Sequence, residues 1–123
     1  RNARFESFIH PTALITSTST IGRGSIIFPY SICSNNSYLN EFVTVNLHSA
    51  IGHDVFVDSF TTISSFVDLT GKIIVGKKVM IGSGARFLPS IKIGEESLVG
   101  AGAIVFKSVP RGKTVYCQPA KIL

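Results

Sequence analysis

The segment IGHDVF, residues 51–56, places a histidine, His53, directly before an acid, Asp54. An imidazole can take a proton from an attacking amine or hydroxyl, ligate a metal ion, or simply lie at a solvated surface. The sequence has only two other histidines, His10 and His48. Which chemistry applies depends on the groups that the fold brings next to this His-Asp pair.

The composition indicates the class of domain that must position the histidine. The chain has 123 residues, 45% apolar and 15% charged, which suits one compact domain. Isoleucine, valine, serine, threonine and glycine dominate, and no long stretch of helix formers occurs, so we predict an all-β fold. The sequence shows neither an apolar run of about 18 residues nor the pattern of a signal peptide, so we expect no membrane span and a cytoplasmic location. Because the first residue is Arg1 rather than methionine, we also expect the chain to be part of a longer polypeptide.

The charges are unevenly divided along the chain. Residues 1–71 carry 3 basic and 5 acidic side chains, whereas residues 72–123 carry 9 basic and 2 acidic ones. This basic half is either a solvated surface or a site for a phosphorylated ligand, to which lysine and arginine donate charge-assisted hydrogen bonds. No nucleic-acid-reading motif accompanies the charges, so no nucleic-acid partner is expected. The phosphate candidates, called the basic set below, are Lys72, Lys77, Lys78, Arg86, Lys92, Lys107, Arg111 and Lys113.

A period of six residues runs from residue 9 to residue 110 without a visible insertion. Stepping by six from Ile9 reaches only apolar residues as far as Val105, and the residue four further on in each hexad is small or β-branched. Such a period fits neither a helix nor a hairpin sheet, and it predicts a parallel β-helix with both series pointing inward. Cys33 and Phe87 fall in the apolar series and are predicted to be buried; no disulfide with Cys117 is expected. Glycine often follows the apolar residue, and we attribute these glycines to turn conformations that other residues resist: Gly22, Gly52, Gly76, Gly82, Gly94 and Gly100.

The hexads resemble those of the left-handed β-helix acyltransferases. Four segments narrow the resemblance to bacterial sugar acetyltransferases, which modify sialic acid hydroxyls or the amine of nucleotide-linked amino sugars: NLHSAIGHDVFVDSFTTIS, LTGKIIVGKKVMIGSGA, SLVGAGAIV and PAKIL. The resemblance implies a left-handed parallel β-helix of five to six triangular coils, each of three hexads, and a homotrimer with active sites between chains. It divides the chain into a lead-in segment (1–8), a β-helix acyltransferase domain (9–110) and a C-terminal tail (111–123). In that family a nucleotide-sugar domain normally precedes the helix.

The same resemblance implies roles for individual residues. His53 is the general base, Asp54 raises its basicity, and Gly71, at the same hexad position of the next coil, lies at the acetyl group. The implied reaction is direct acetyl transfer from acetyl-CoA to a sugar amine or hydroxyl. The implied contacts of acetyl-CoA are Thr62, Ser83 and Ala101, beside which Gly84 and Gly102 leave a shallow strip for the pantetheine arm.

Two alternatives remain beside this interpretation. His48 and His53 are five residues apart, as are two metal-binding histidines of the γ-class carbonic anhydrases, but the hexad positions differ and zinc would need a third ligand. His10 lies about two coils, or roughly 10 Å, before His48, so no metal is expected and His48 is assigned to the acceptor pocket. The other alternative is a non-catalytic β-helix that serves as an assembly subunit. Two aromatic ladders, whose members are spaced by one coil, predict a subunit interface: Tyr30, His48 and Phe66, and Phe42 and Phe60.

Overall fold

The computed structural model describes residues 2–123, so Arg1 of the lead-in segment lies outside the described residues. Short strands follow one another along the chain and are joined by tight turns. They are β1 (Phe8–Ile9), β2 (Leu14–Ile15), β3 (Thr20–Ile21), β4 (Ile26–Ile27), β5 (Ile32–Cys33), β6 (Tyr38–Leu39), β7 (Thr44–Val45), β8 (Ala50–His53), β9 (Phe56–Val57), β10 (Thr62–Ile63), β11 (Asp68–Gly71), β12 (Ile74–Val75), β13 (Met80–Ile81), β14 (Arg86–Phe87), β15 (Lys92–Ile93), β16 (Leu98–Val99), β17 (Ile104–Val105) and β18 (Thr114–Val115). The described residues include no helix long and apolar enough to cross a bilayer.

The strands form three parallel sheets, which are the three faces of a coil. Sheet A has the order β1-β4-β7-β10-β13-β16-β18, sheet B β17-β14-β11-β8-β5-β2, and sheet C β15-β12-β9-β6-β3. Each strand from β1 to β14 pairs with the strand three places further along the chain, so that Ile51 lies beside Leu69 of the next coil. The predicted parallel β-helix of stacked triangular coils is confirmed.

The core runs along the inside of the coil. The apolar series is buried from Ile27 to Val105, and Cys33 and Phe87 are buried as predicted. Burial raises the pKa of the Cys33 thiol to about 12, as desolvation disfavours the thiolate. Ile9, the first member of the apolar series, is 41% exposed.

Serine at the small inward positions satisfies the turn backbone. Ser31 Oγ donates to the carbonyl of Asn46 at 2.7 Å, and Ser49 Oγ donates to the carbonyl of Ser64 at 2.7 Å. Ser49 Oγ also accepts from the N–H of Val67 at 3.1 Å. Within the described residues every buried side-chain nitrogen and oxygen has a hydrogen-bond partner, so these hydroxyls carry no desolvation penalty.

The glycines that follow the apolar positions do not serve as turn residues. Gly52 and Gly82 have no positive φ, but a Cβ on Gly52 would lie 2.1 Å from the carbonyl oxygen of Thr70, and one on Gly82 would lie 2.5 Å from the nitrogen of Ala101. The turn explanation given to them from the sequence is therefore wrong. They are needed because the backbone of the next coil approaches too closely for any side chain.

The positive φ of a turn is adopted instead by the fourth residue of most hexads, counting the apolar residue as the first. Most of these residues are not glycine. These residues have φ between 53° and 72° and define three corners. The AB corner has Tyr30, His48, Phe66, Gly84 and Gly102; the BC corner has Asn36, Asp54, Lys72 and Ser90; the CA corner has Gly24, Phe42, Phe60, Lys78 and Glu96. The left-handed conformation costs about 1–2 kcal/mol per non-glycine residue. The stacking offsets it, because the backbone N–H at these positions donates to the preceding coil, as Phe66 does to the carbonyl of Leu47 at 3.0 Å.

The six-residue register ends after β17. Val109 bridges to Ile93, and Val115 pairs with Val99. In both pairs the separation along the chain is two residues shorter than a full coil of three hexads. The expectation of an unbroken register to residue 110 is therefore wrong, since the last coil is two residues shorter. Sheet A nevertheless continues through β18, within the segment 111–123.

Candidate active site

His53 lies at the end of β8, where this strand extends past the usual two residues. Its Cα pairs with that of Gly71 at the end of β11, and its carbonyl accepts the N–H of Lys72 at 2.9 Å. The pairing with β11 and the hydrogen bond from Lys72 therefore hold the backbone of His53 in place. The side chain points outward at the BC corner and is 56% exposed, so a substrate can reach the ring.

The imidazole is oriented by the acid that follows it. Nδ1 of His53 lies 2.8 Å from Oδ2 of Asp54, whose φ of 56° turns the chain at this corner. When Nδ1 carries the proton and donates to this carboxylate, Nε2 has a free lone pair. In this tautomer the accepting nitrogen is directed away from the acid.

The carboxylate of Asp54 is stabilised in its ionised form. The hydrogen bond with His53 lowers the pKa of Asp54 below its usual value, and desolvation opposes this. Asn36, whose Nδ2 lies 3.4 Å from Oδ1, and then the positive charge of Lys72 add to the lowering. Asp54 is therefore a carboxylate throughout the neutral range and accepts hydrogen bonds only.

Gly71 makes the space that the imidazole occupies. It is buried, and a Cβ built on it would lie 2.7 Å from Nε2 of His53 and 3.0 Å from Cδ2. Since real Cβ contacts do not come that close, any residue but glycine here would displace the ring. The structure thus brings together His53, Asp54 and Gly71 as the sequence predicted.

The remaining predicted site residues lie elsewhere in the same chain. His48 precedes β8 and His53 ends it, so the two histidines are at opposite ends of sheet B, about 15 Å apart along an extended chain. The predicted cofactor residues are on the AB corner or on sheet A: Ser83, Gly84, Ala101 and Gly102 on the corner, and Thr62 in β10. One chain alone therefore does not unite the base with the predicted acetyl-CoA strip.

The predicted strip is open. A Cβ on Gly84 would meet nothing closer than Gly102 at 3.9 Å, and one on Gly102 would have the Sγ of Cys117 at 3.6 Å. An open groove of about 460 Å³ continues from Gly102 past Lys107 to Tyr116. Cys117 lies in its wall, and its Sγ donates to the carbonyl of Ala101 at 3.2 Å.

Both predicted aromatic ladders are present as stacked rings. His48 lies between Tyr30 and Phe66, with ring centroids 5.1 and 5.0 Å away. Phe42 and Phe60 stack at 5.3 Å with nearly parallel planes. Tyr30, Phe60 and Phe66 are each more than half exposed, so these ladders form apolar ridges along two corners.

The described residues contain no group of three His, Cys, Asp or Glu side chains placed to hold a metal ion. The third histidine of the chain, His10, has Nδ1 2.9 Å from the hydroxyl of Thr12. The carbonic-anhydrase arrangement of three converging histidines is therefore not formed within one chain.

The effect of two residues on Asp54 was missed from the sequence, from which Asn36 received no role and Lys72 only that of a phosphate candidate. Asn36 and Lys72 stand one coil before and one coil after Asp54 on the BC corner, and both act on its carboxylate. The signal was available, because residues a full coil apart occupy adjacent positions on the stack. The same spacing predicted the aromatic ladders, and it applies equally to this polar corner.

Comparisons with known proteins agree with this fold. Residues 72–107 match the family described as bacterial transferase hexapeptide (six repeats). The acetyltransferase domain of PglB from Neisseria gonorrhoeae is similar at 32% identity and a TM-score of 0.92, over 98% of this chain and 58% of that one, and has also been solved with acetyl coenzyme A. No curated protein matches the chain.

A second similar structure is a mutant of perosamine N-acetyltransferase from Caulobacter crescentus, with asparagine in place of a histidine, in complex with CoA and GDP-perosamine. It is 25% identical with a TM-score of 0.92, over 98% of this chain and 57% of that one. The chain thus spans less than three fifths of the length of these structures. The resemblance inferred from the sequence is confirmed at the level of the fold: this chain shares the hexapeptide-repeat β-helix with these two acetyltransferase structures.

Proposed function

We propose that this chain is an acetyl-CoA-dependent sugar acetyltransferase in which His53 is the general base. The observation that carries the proposal is the oriented imidazole, with Nδ1 at 2.8 Å from Asp54 and Nε2 over Gly71. It is supported by the similar structures, which were solved with acetyl coenzyme A or with CoA and a nucleotide-linked amino sugar. The preferred acceptor is the amine of a nucleotide-linked amino sugar, with a sugar hydroxyl as the second choice.

The reaction is a direct transfer. Nε2 of His53 takes a proton from the acceptor amine as its nitrogen attacks the thioester carbonyl, and the carbon–sulfur bond then breaks. The departing CoA thiolate takes the proton from the imidazolium, so the base is restored without an acyl-enzyme. Asp54 stabilises the imidazolium while it exists, because its carboxylate stays ionised.

The second part of the proposal is a homotrimer with active sites between chains. His53 is more than half exposed, and the open strip at Gly84 and Gly102 belongs to a different corner. A neighbouring chain would place its AB corner against the BC corner of the first. This contact would cover the aromatic ridge of the AB corner, and such ridges seldom remain in contact with water. Light scattering at micromolar concentration should give three times the chain mass; a monomer would contradict this part.

Acetyl-CoA would run along the strip, with its thioester at Gly71 and its phosphates toward the basic set. His48, held between Tyr30 and Phe66, would line the acceptor pocket. Thr62, Ser83 and Ala101 complete the proposed cofactor contacts. A cytoplasmic location is proposed as well, since acetyl-CoA and nucleotide-linked sugars are made there.

The test is CoA thiol release from acetyl-CoA with a panel of amino sugars and nucleotide-linked amino sugars. The expected result is acceptor-dependent thiol release that His53→Ala lowers by about 100-fold or more, with no dependence on added zinc. Zinc-dependent CO2 hydration would support the carbonic-anhydrase alternative. If the protein showed neither activity, the scaffold alternative would be favoured. Mild alkali then identifies the product, because an ester would release acetate and an amide would not.

A further inference from the structure

We infer that Asn36 is a positioning residue of this site, which holds Asp54 and through it the imidazole of His53. The inference rests on the proposed function and adds a residue to its site. Nδ2 of Asn36 lies 3.4 Å from Oδ1 of Asp54, while Oδ2 of the same carboxylate lies 2.8 Å from Nδ1 of His53. Each carboxylate oxygen is therefore held by a different partner.

The two hydrogen-bond partners of the Asp54 carboxylate matter because this side chain is exposed. Its side chain is 46% exposed, and a carboxylate at such a site rotates about its terminal torsion and exchanges its partners with water. When Asn36 donates to Oδ1, it favours the orientation of the carboxylate plane in which Oδ2 points at the imidazole. The imidazole then keeps its proton on Nδ1 and its lone pair on Nε2, facing Gly71.

The backbone of Asn36 is itself fixed where this contact requires it. Its φ is 57°, a conformation that asparagine adopts more readily than most residues, and its N–H donates to Oγ1 of Thr18 at 3.1 Å. Thr18, Asn36 and Asp54 follow each other at one-coil steps along the BC corner. A chain of hydrogen bonds therefore runs from Thr18 through Asn36 and Asp54 to Nδ1 of His53.

A second stacked pair in the same chain separates this role from a purely structural one. Nδ2 of Asn40 donates to Oδ1 of Asp58 at 3.0 Å, again from one coil to the next, but Asp58 has its other contact with the N–H of Ser59. Asn40 therefore supports a turn, whereas Asn36 supports a carboxylate that holds an imidazole. Asn40→Gly is the matched control, since glycine occurs at this hexad position in Gly22 and Gly52.

The test uses Asn36→Gly, which removes the amide and tolerates the positive φ. The loss of one hydrogen bond to a charged group predicts a fall in kcat of about 10-fold, with the acetyl-CoA Kd unchanged. Asn40→Gly should stay within about 2-fold of wild type. In an Asp54→Asn background Asn36→Gly should cause no further loss, because its effect passes through that carboxylate. Equal losses in both backgrounds, or equal losses for the two asparagines, would overturn the inference.

A spectroscopic readout keeps the inference separate from the proposed function. The 15N chemical shifts of the His53 ring, detected through its carbon-bound protons, report which nitrogen carries the proton in the neutral imidazole. Asn36→Gly should lower the Nδ1–H fraction and Asn40→Gly should not; an unchanged ring spectrum in Asn36→Gly would overturn the inference. Failure of acetyl transfer in the wild type would refute the proposed function alone, because the spectrum still tests Asn36.

Discussion

Replacement of Gly71 by alanine tests whether the position of His53 matters for catalysis. The new Cβ would lie 2.7 Å from Nε2, about 0.7 Å short of the 3.4 Å at which ordinary contact begins. Gly71 has no positive φ, so alanine introduces no backbone strain, and the ring must move by roughly that amount. A misplacement of about 1 Å costs about 100-fold in rate, so we expect kcat to fall about 30-fold, equivalent to about 2 kcal/mol of barrier.

The measurement is thiol release at saturating acetyl-CoA and acceptor, with thermal unfolding alongside. Gly71→Ala should have nearly the Tm of wild type, because an exposed ring gives way. The matched control is Gly52→Ala, whose Cβ would lie 2.1 Å from the carbonyl oxygen of Thr70. Overpacking against backbone costs about 1–3 kcal/mol, and Tm should fall by about 5 °C or more. Wild-type kcat in Gly71→Ala would refute the placement of Nε2 as the base, and a Tm loss equal to that of Gly52→Ala would mean that the site is structural.

Three further predictions follow from the site and its charges. His53→Ala should lower kcat by about 100-fold or more with the acetyl-CoA Kd nearly intact, while His48→Ala should act mainly on acceptor KM; a larger kcat loss at His48 would mean that the base is misassigned. The Kd for acetyl-CoA should rise with salt between low and high ionic strength, because the basic set is screened over about 8–10 Å, and a constant Kd would contradict phosphate binding there. The lowered pKa of Asp54 means that the carboxylate contributes stability above its unfolded-state pKa of about 3.9 and loses it as pH falls through the lowered value. The stability difference between wild type and Asp54→Asn, from urea unfolding at several pH values, should therefore be level above about pH 5 and shrink below about pH 4; a difference that grew in acid would contradict this.

Much of the fold and the centre of the site could be predicted from the sequence. A period of six with apolar and small residues at fixed offsets leaves one way to bury both series, and the buried residues from Ile27 to Val105 follow it. The pairing of His53 with Gly71 then follows from the coil of three hexads that the family resemblance implies. The predicted stacking of Phe42 on Phe60 is confirmed for the same reason. In a β-helix, distance along the sequence converts directly into distance along the stack.

Only the tertiary structure decided how closely the coils approach at each corner, and where the chain departs from the regular register. The sequence by itself determined the hexads, the core and the order of the coils, because these depend on hydrophobic periodicity alone. It did not reveal that Gly52 is required by the approach of Thr70, that the positive φ falls on residues such as Asp54, or that the last coil is two residues shorter. It likewise did not reveal that His48 and the strip at Gly84 lie across sheet B from the base. These features depend on contacts between stacked backbones and on the direction in which each turn points its side chain, which no one-dimensional period records.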